Sequence, residues 1–159
     1  MKRIVFISAI VLIATILSGH SAARSQQEKA RARMSDLRFG SYATSRQVEE
    51  LATNEVVRTR AWKTIQRMGI TKLYIEVYRG GHIVSGEHLT FARNWLQEKS
   101  IEVVGGIATV PGGDFGVRQK GPLGWFNWQN EKTQRDLERV IRMAAGIFDT
   151  FIVDDFLCT

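Results

Sequence analysis

The sequence predicts an α/β chain, the first four βα units of a (β/α)8 (TIM) barrel preceded by a signal peptide. Three observations carry that prediction. Helical and strand patterns alternate from residue 38 onward, which calls for a parallel sheet joined by right-handed crossovers. Strand patterns start at about 38, 72, 101 and 150, and the first two intervals lie close to the ~31 residues of one barrel unit. No glycine-rich phosphate turn follows a strand, since Gly80-Gly81 and Gly112-Gly113 have neither the spacing nor an immediate helix. An open parallel α/β sheet is the alternative.

The elements follow in chain order. Lys2 and Arg3 precede an apolar stretch at 4–17 broken only by Ser8 and Thr15, and Ser21-Ala22-Ala23 supplies small residues for cleavage after Ala23. That stretch is short of the roughly 20 residues a spanning helix needs. The expectation is a secreted or periplasmic protein with no stable membrane span after cleavage. Residues 1–23 are then the signal peptide, 24–37 a flexible lead-in, and 38–159 the partial barrel domain. A short strand at 38–43 leads to Thr44 and Gln47, which have capping-box spacing, with Val48, Leu51 and Ala52 on the inner helical face. Asn54 caps a second helix with Val57, Ala61, Ile65 and Met68 inward, and Gly69 ends it. A strand at 72–78 is closed by Arg79-Gly80-Gly81. Ser85 caps a helix through Lys99 with Leu89, Ala92 and Leu96 inside, and a strand at 101–110 contains Gly105-Gly106. Asn130 caps the last helix, whose inner face is Leu137, Val140, Ile141, Ala144 and Phe148. The strand at 151–153 runs into Asp154-Asp155. Trp62 and Trp95, on helical faces, read as core. Because the text stops at Thr159, just after a strand, the reading expects an N-terminal half whose C-terminal half is missing.

Composition narrows the function classes. With 44% apolar and 24% charged residues the chain is globular, which excludes disordered, collagenous and multi-span classes. A single cysteine excludes a disulfide framework and a cysteine-built zinc cluster within this chain. The formal charge of +6 includes two leader residues and no run of five basic side chains, so no nucleic-acid partner is called for. Oligomeric state is not legible.

In parallel α/β folds chemistry collects where strands end. The second strand delivers Glu76, then Tyr78, Arg79 and His82; the fourth delivers Asp154 and Asp155. Between them lies a long connection, 111–129, with Asp114, Arg118, Lys120 and the run Trp125-Phe126-Asn127-Trp128. Two carboxyls flanking a glycosidic bond are the usual tools for its cleavage, so Glu76, Asp154 and Asp155 are the candidate catalytic residues. The structural alternative is an internal Glu76–Arg79 ion pair and a helix-capping Asp. Successive side chains on a strand face opposite ways, so at most one of Asp154 and Asp155 is catalytic. Arg79 and Tyr78 are candidate substrate-binding residues. Trp125 and Trp128 suit stacking on sugar rings and Asn127 suits their hydroxyls; the alternative is a hydrophobic plug anchoring the loop. Neither His82 nor His88 has metal-ligand spacing to the other or to the acids, and His88 reads as a solvated first-turn residue. No metal and no cofactor is expected.

The segments 38–42 (Arg-Phe-Gly-Ser-Tyr), 74–79 (Tyr-Ile-Glu-Val-Tyr-Arg), 104–109 (Val-Gly-Gly-Ile-Ala-Thr), Phe148-Asp149 and Asp154-Asp155-Phe156 resemble a group of exported, glycoside-hydrolase-like (β/α)8 barrels. The resemblance covers 38–159 and implies a carbohydrate-active site at the carboxyl ends of the strands. The fourth strand is also similar to that of chitinase-type barrels, in which an Asp-rich strand ends in a catalytic Glu. Phe156 stands at that position here, which argues against chitinase chemistry. The resemblance therefore implies an exported glycoside hydrolase acting on a poly- or oligosaccharide. A non-catalytic carbohydrate-binding or cell-envelope protein on the same scaffold is the second reading.

Overall fold

The computed structural model describes residues 28–29, 31–33, 38–122 and 124–154. The expected signal peptide, most of the lead-in, Asp155, Phe156 and Cys158 lie outside the described residues. The strands are β1 (Gly40–Ala43), β2 (Lys72–Arg79), β3 (His82–Ile83), β4 (Glu102–Ala108) and β5 (Phe151–Asp154). The helices are α1 (Ser45–Thr53), α2 (Glu55–Met68), α3 (Gly86–Glu98) and α4 (Glu131–Ile147).

Local chemistry sets the helix ends. Gln47 Oε1 accepts from the Thr44 amide at 2.9 Å, the returning half of the capping box. Asn54 Oδ1 accepts from the amides of Val56 and Val57 at 3.0 and 3.2 Å, satisfying donors that the first turn of α2 leaves over. Arg58 staples the α1–α2 break by donating to the carbonyls of Leu51 and Ala52. Gly69 ends α2 in the left-handed conformation at φ 66°. Ser85 and Asn130 cap α3 and α4 in the same way as Asn54.

The fold is α/β with a parallel sheet. β1, β2, β4 and β5 lie side by side in chain order, each parallel to the next. A doubly wound sheet would reverse that order at a switch point, and the described strands contain no such reversal. β3 is the element the sequence did not announce. It is only two residues long and folds back antiparallel on β2 through Gly80 and Gly81, both at positive φ.

One face of the sheet carries the helices. Leu73, Ile75 and Val77 of β2 form a common core with Val48, Ile65, Leu89, Ala92, Leu96, Leu137, Val140 and Ala144 from the four helices. Four expected core residues sit further out. Ile141 is one position around α4 from Val140 and is exposed. Trp62 and Trp95 are half-buried at the rim, edge to face at 6.3 Å, with Lys99 Nζ over both rings. Met68, expected on the inner face of α2, is likewise exposed.

The opposite face follows from the register. Tyr42 pairs with Tyr74, Glu76 with Gly106, Gly106 with Ile152 and Ala108 with Asp154, so these residues project from the side that is helix-free among the described residues. The adjacent glycines of β4 serve the two faces separately. A Cβ on Gly105 would come within 2.8 Å of the Phe148 ring, whereas one on Gly106 would come within 2.8 Å of the Tyr42 hydroxyl.

Candidate active site

Between Glu76 and Tyr78 the β2–β4 register slips by one residue. Glu76 pairs with Gly106 on the helix-free face, and Tyr78 pairs with Ile107 on the helix side. Val77 is thus the extra residue of a β-bulge, which re-aims everything after it. A regular strand would put residues 76 and 79 on opposite faces; the slip returns Arg79 to the side of Glu76. Their ion pair has Arg79 Nε at 2.6 Å from Glu76 Oε1. Glu76 Oε2 accepts from the Ser45 amide at 2.7 Å, at the first turn of α1. A carboxylate at a helix N-terminus is favoured by the exposed amides and the helix dipole. Glu76 is fully buried, while the Arg79 side chain is 40% exposed.

The bulge also disposes of the expectation that Tyr78 faces substrate. Tyr78 is fully buried, its ring stacked on Phe115 at 4.1 Å between centroids. Its hydroxyl donates to the Val110 carbonyl at 2.7 Å and accepts from the Gly81 amide at 3.0 Å. Burial pushes the phenol up to about 12 against the opposing effect of the Gly81 amide. Tyr78 ties the β2–β3 turn to the neck of the long connection. There Gly81 and Gly112 meet backbone to backbone: a Cβ on Gly112 would lie 2.2 Å from the Gly80 carbonyl oxygen.

Tyr42 completes the group on the helix-free face, and nothing in the sequence pattern singled it out. Its Oη is buried and, among the described residues, has no hydrogen-bond partner at normal geometry. Burial foremost, then the charge of the nearby Glu76 carboxylate and a hydrogen-bonding interaction with it, raise the phenol well above its ordinary value; Arg79 opposes this and Asp154 adds to it. Asp154 is exposed at the end of β5, and its main-chain carbonyl accepts from the Thr109 amide at 3.0 Å and hydroxyl at 2.8 Å. Glu76, Arg79 and Asp154 thus share one face of the sheet toward its carboxyl edge, where all three act on the Tyr42 hydroxyl. Asp155 lies outside the described residues.

The connection at 111–129 is folded rather than irregular. Gln119 N–H donates to the Trp125 carbonyl and Asn127 N–H to the Val117 carbonyl, making a narrow ribbon. Phe126 is buried against Phe115 and Tyr78, with Trp128 edge-on to it at 5.7 Å. Trp128 packs on the core, and its buried Nε1 has no partner among the described residues. Asn127 Oδ1 accepts from the Gln129 amide in the turn before α4. Trp125 is half-buried. The ribbon is tied to α4 by Gly116 N–H on Asp136 Oδ2 at 2.8 Å and Val117 N–H on Thr133 Oγ1 at 2.9 Å.

The Gly116 amide, then Lys132, hold the Asp136 carboxyl below its ordinary value of 3.8. A depressed folded value contributes stability that is complete above that ordinary value and is lost as pH falls through the lowered one. Exchange of the Gly116 amide and proteolysis within 111–129 are therefore expected to accelerate on acidification below about pH 4. Asp136→Asn is expected to give the accelerated rates already at neutral pH.

His82 and His88 do share a partner, which their sequence spacing did not reveal. Glu49 Oε2 lies 2.7 Å from His82 Nε2 and Oε1 3.2 Å from His88 Nδ1. His88 is therefore engaged rather than simply solvated. Among the described residues, no group of three or more His, Cys, Asp or Glu is arranged to hold a metal ion, and no helix is long and apolar enough to cross a membrane.

Searches of curated proteins and of solved structures returned no match. Residues 25–159 match the family model described as "Probable glycosyl hydrolase, catalytic domain". That match spans most of the chain and agrees with strand-end carboxylates on one face of a parallel sheet, so the chain belongs to this family of probable glycosyl hydrolases.

Proposed function

We propose that the protein is an exported hydrolase of glycosidic bonds in a poly- or oligosaccharide, working by carboxylate chemistry without a cofactor. The observation that carries this reading is the placement of Asp154 and the Glu76–Arg79 pair on one face, at the carboxyl edge of the sheet. Asp154, exposed at its strand end, acts on the scissile bond directly. Glu76 is sealed beneath the surface with both oxygens accepting hydrogen bonds, so it positions Arg79, which binds glycan. Because neighbouring strand residues face opposite ways, Asp155 is assigned a supporting or binding role beside Asp154. Trp125 is the aromatic of the ribbon that stacks on sugar, whereas Trp128, Asn127 and Tyr78 hold the loop in place.

The parallel strands in unreversed chain order support a (β/α)8 barrel, of which β1, β2, β4 and β5 are four successive staves. The leader features at 1–23 support secretion or delivery to a periplasm, with cleavage after Ala23.

The test is incubation of the purified protein with a panel of β- and α-linked polysaccharides and their oligosaccharides, followed by assay of new reducing ends. Turnover of at least one glycan class is the expected result. Glycan binding without any turnover would move the protein to the carbohydrate-binding reading, and neither binding nor turnover would remove carbohydrate from the proposal.

A further inference from the structure

The Tyr42 hydroxyl is a polar group that folding has placed at a cost. It is out of water and makes no hydrogen bond of normal geometry among the described residues, although the Glu76 carboxylate lies close enough to interact with it as an acceptor; proteins normally avoid leaving such a group so poorly satisfied. Two features hold it there. The Tyr42 ring is stacked with Tyr74, with centroids 6.3 Å apart and planes 19° from parallel. The space its oxygen occupies exists because residue 106 has no Cβ. The charged group acting on it most strongly is the carboxylate of Glu76, one oxygen of which is taken by Arg79. Arg79 is the more exposed partner of that pair, and the one able to turn outward.

We propose that Tyr42 is a stand-by donor for Glu76: when Arg79 turns from the carboxylate to a bound glycan, the Tyr42 hydroxyl hydrogen-bonds the oxygen that Arg79 leaves. The glycan part of this rests on the proposed function, but the exchange itself does not. Arg79 can leave a buried carboxylate only if another donor takes its place, because an uncompensated buried charge is strongly unfavourable. Tyr42 supplies that donor from within the protein, so the anion stays satisfied while the guanidinium is used elsewhere. A phenol raised well above its ordinary value stays protonated, and so remains able to donate, throughout the range in which the protein works. Tyr42 is in this sense a positioning residue, acting on substrate through Glu76 and Arg79.

The exchange can be tested without knowing the substrate. The chain has three tyrosines, so a protein labelled with carbon-13 at tyrosine Cζ gives three resonances, each assignable by a Tyr→Phe variant. Replacing Arg79 by Met, which has no donor and so vacates the carboxylate, is expected to shift the Tyr42 resonance while that of Tyr74 stays in place. Thermal unfolding of the double-mutant cycle is the second readout. Tyr42→Phe is expected to leave the melting temperature unchanged or raise it when Arg79 is present. In the Arg79→Met background it is expected to lower that temperature by roughly 3–6 °C. Arg79→Gln, whose neutral amide bonds the carboxylate more weakly than the guanidinium, serves if the Met variant does not fold. Equal effects of Tyr42→Phe in both backgrounds, or an unmoved Tyr42 resonance, would overturn the exchange.

With a glycan that the wild-type protein binds, the same resonance is expected to shift on titration. A glycan that binds and leaves Tyr42 unmoved would show that Arg79 stays on Glu76, against this inference but not against the carbohydrate reading. Absence of any binding glycan, with the cycle still coupled, would overturn the glycan trigger alone.

Discussion

Asp154→Asn is expected to lower turnover of whichever glycan the protein cleaves by about 10²–10⁴-fold, the usual contribution of a positioned proton-transfer group. The substitution keeps the shape of the side chain and removes its ability to exchange a proton or carry a negative charge. Stability is expected to stay within about 0.5 kcal/mol of wild type. Asp154 is exposed, and the sheet uses its main-chain carbonyl through Thr109, which asparagine leaves intact. Reducing-end assays alongside urea unfolding separate the two effects. Full turnover in the variant would take Asp154 out of the chemistry.

Glu76→Ala shows the opposite pattern, with the larger loss in stability. Removing the carboxylate leaves the Ser45 amide without its acceptor inside α1 and takes from Arg79 its buried ion-pair partner. Breaking a buried pair by removing one partner commonly costs about 3–5 kcal/mol. Arg79 is 40% exposed and can recover part of its hydration, so we expect about 2–4 kcal/mol. The loss should appear as a lower urea midpoint at unchanged slope. A variant as stable as wild type would mean that the Ser45 amide and Arg79 find other partners.

These two carboxylates also show what was legible in advance. Helix starts at Thr44, Asn54, Ser85 and Asn130, and the stop at Gly69, depend on residues within one turn of each other, and each is found where the sequence places it. The carboxyl-edge position of Glu76 and Asp154 was equally readable, because strand direction and strand ends sufficed. Side-chain phase beyond Glu76 was not. Alternation put Tyr78 beside Glu76, but the slip at Val77 depends on how β4 pairs with β2, a contact some 30 residues away in sequence. The shared Glu49 of His82 and His88 was hidden for the same reason, since three separate elements supply it. Tyr42 gave no signal because its significance lies in a missing partner and in the absent side chain of Gly106.

The contact that Gly81 and Gly112 make with the opposing main chain has a consequence for how this protein can diversify. Where two main chains touch with no room for a Cβ, evolution has almost no alphabet: the neck of the 111–129 connection is fixed in composition. The ribbon beyond it is anchored by Phe115 and Phe126 in the core and by hydrogen bonds to α4, while Lys120 and Gly121 at its tip are exposed. Its tip can therefore be rewritten as a cassette between two constant seams. Substrate preference can change by exchanging that cassette while the acids beneath it keep their places.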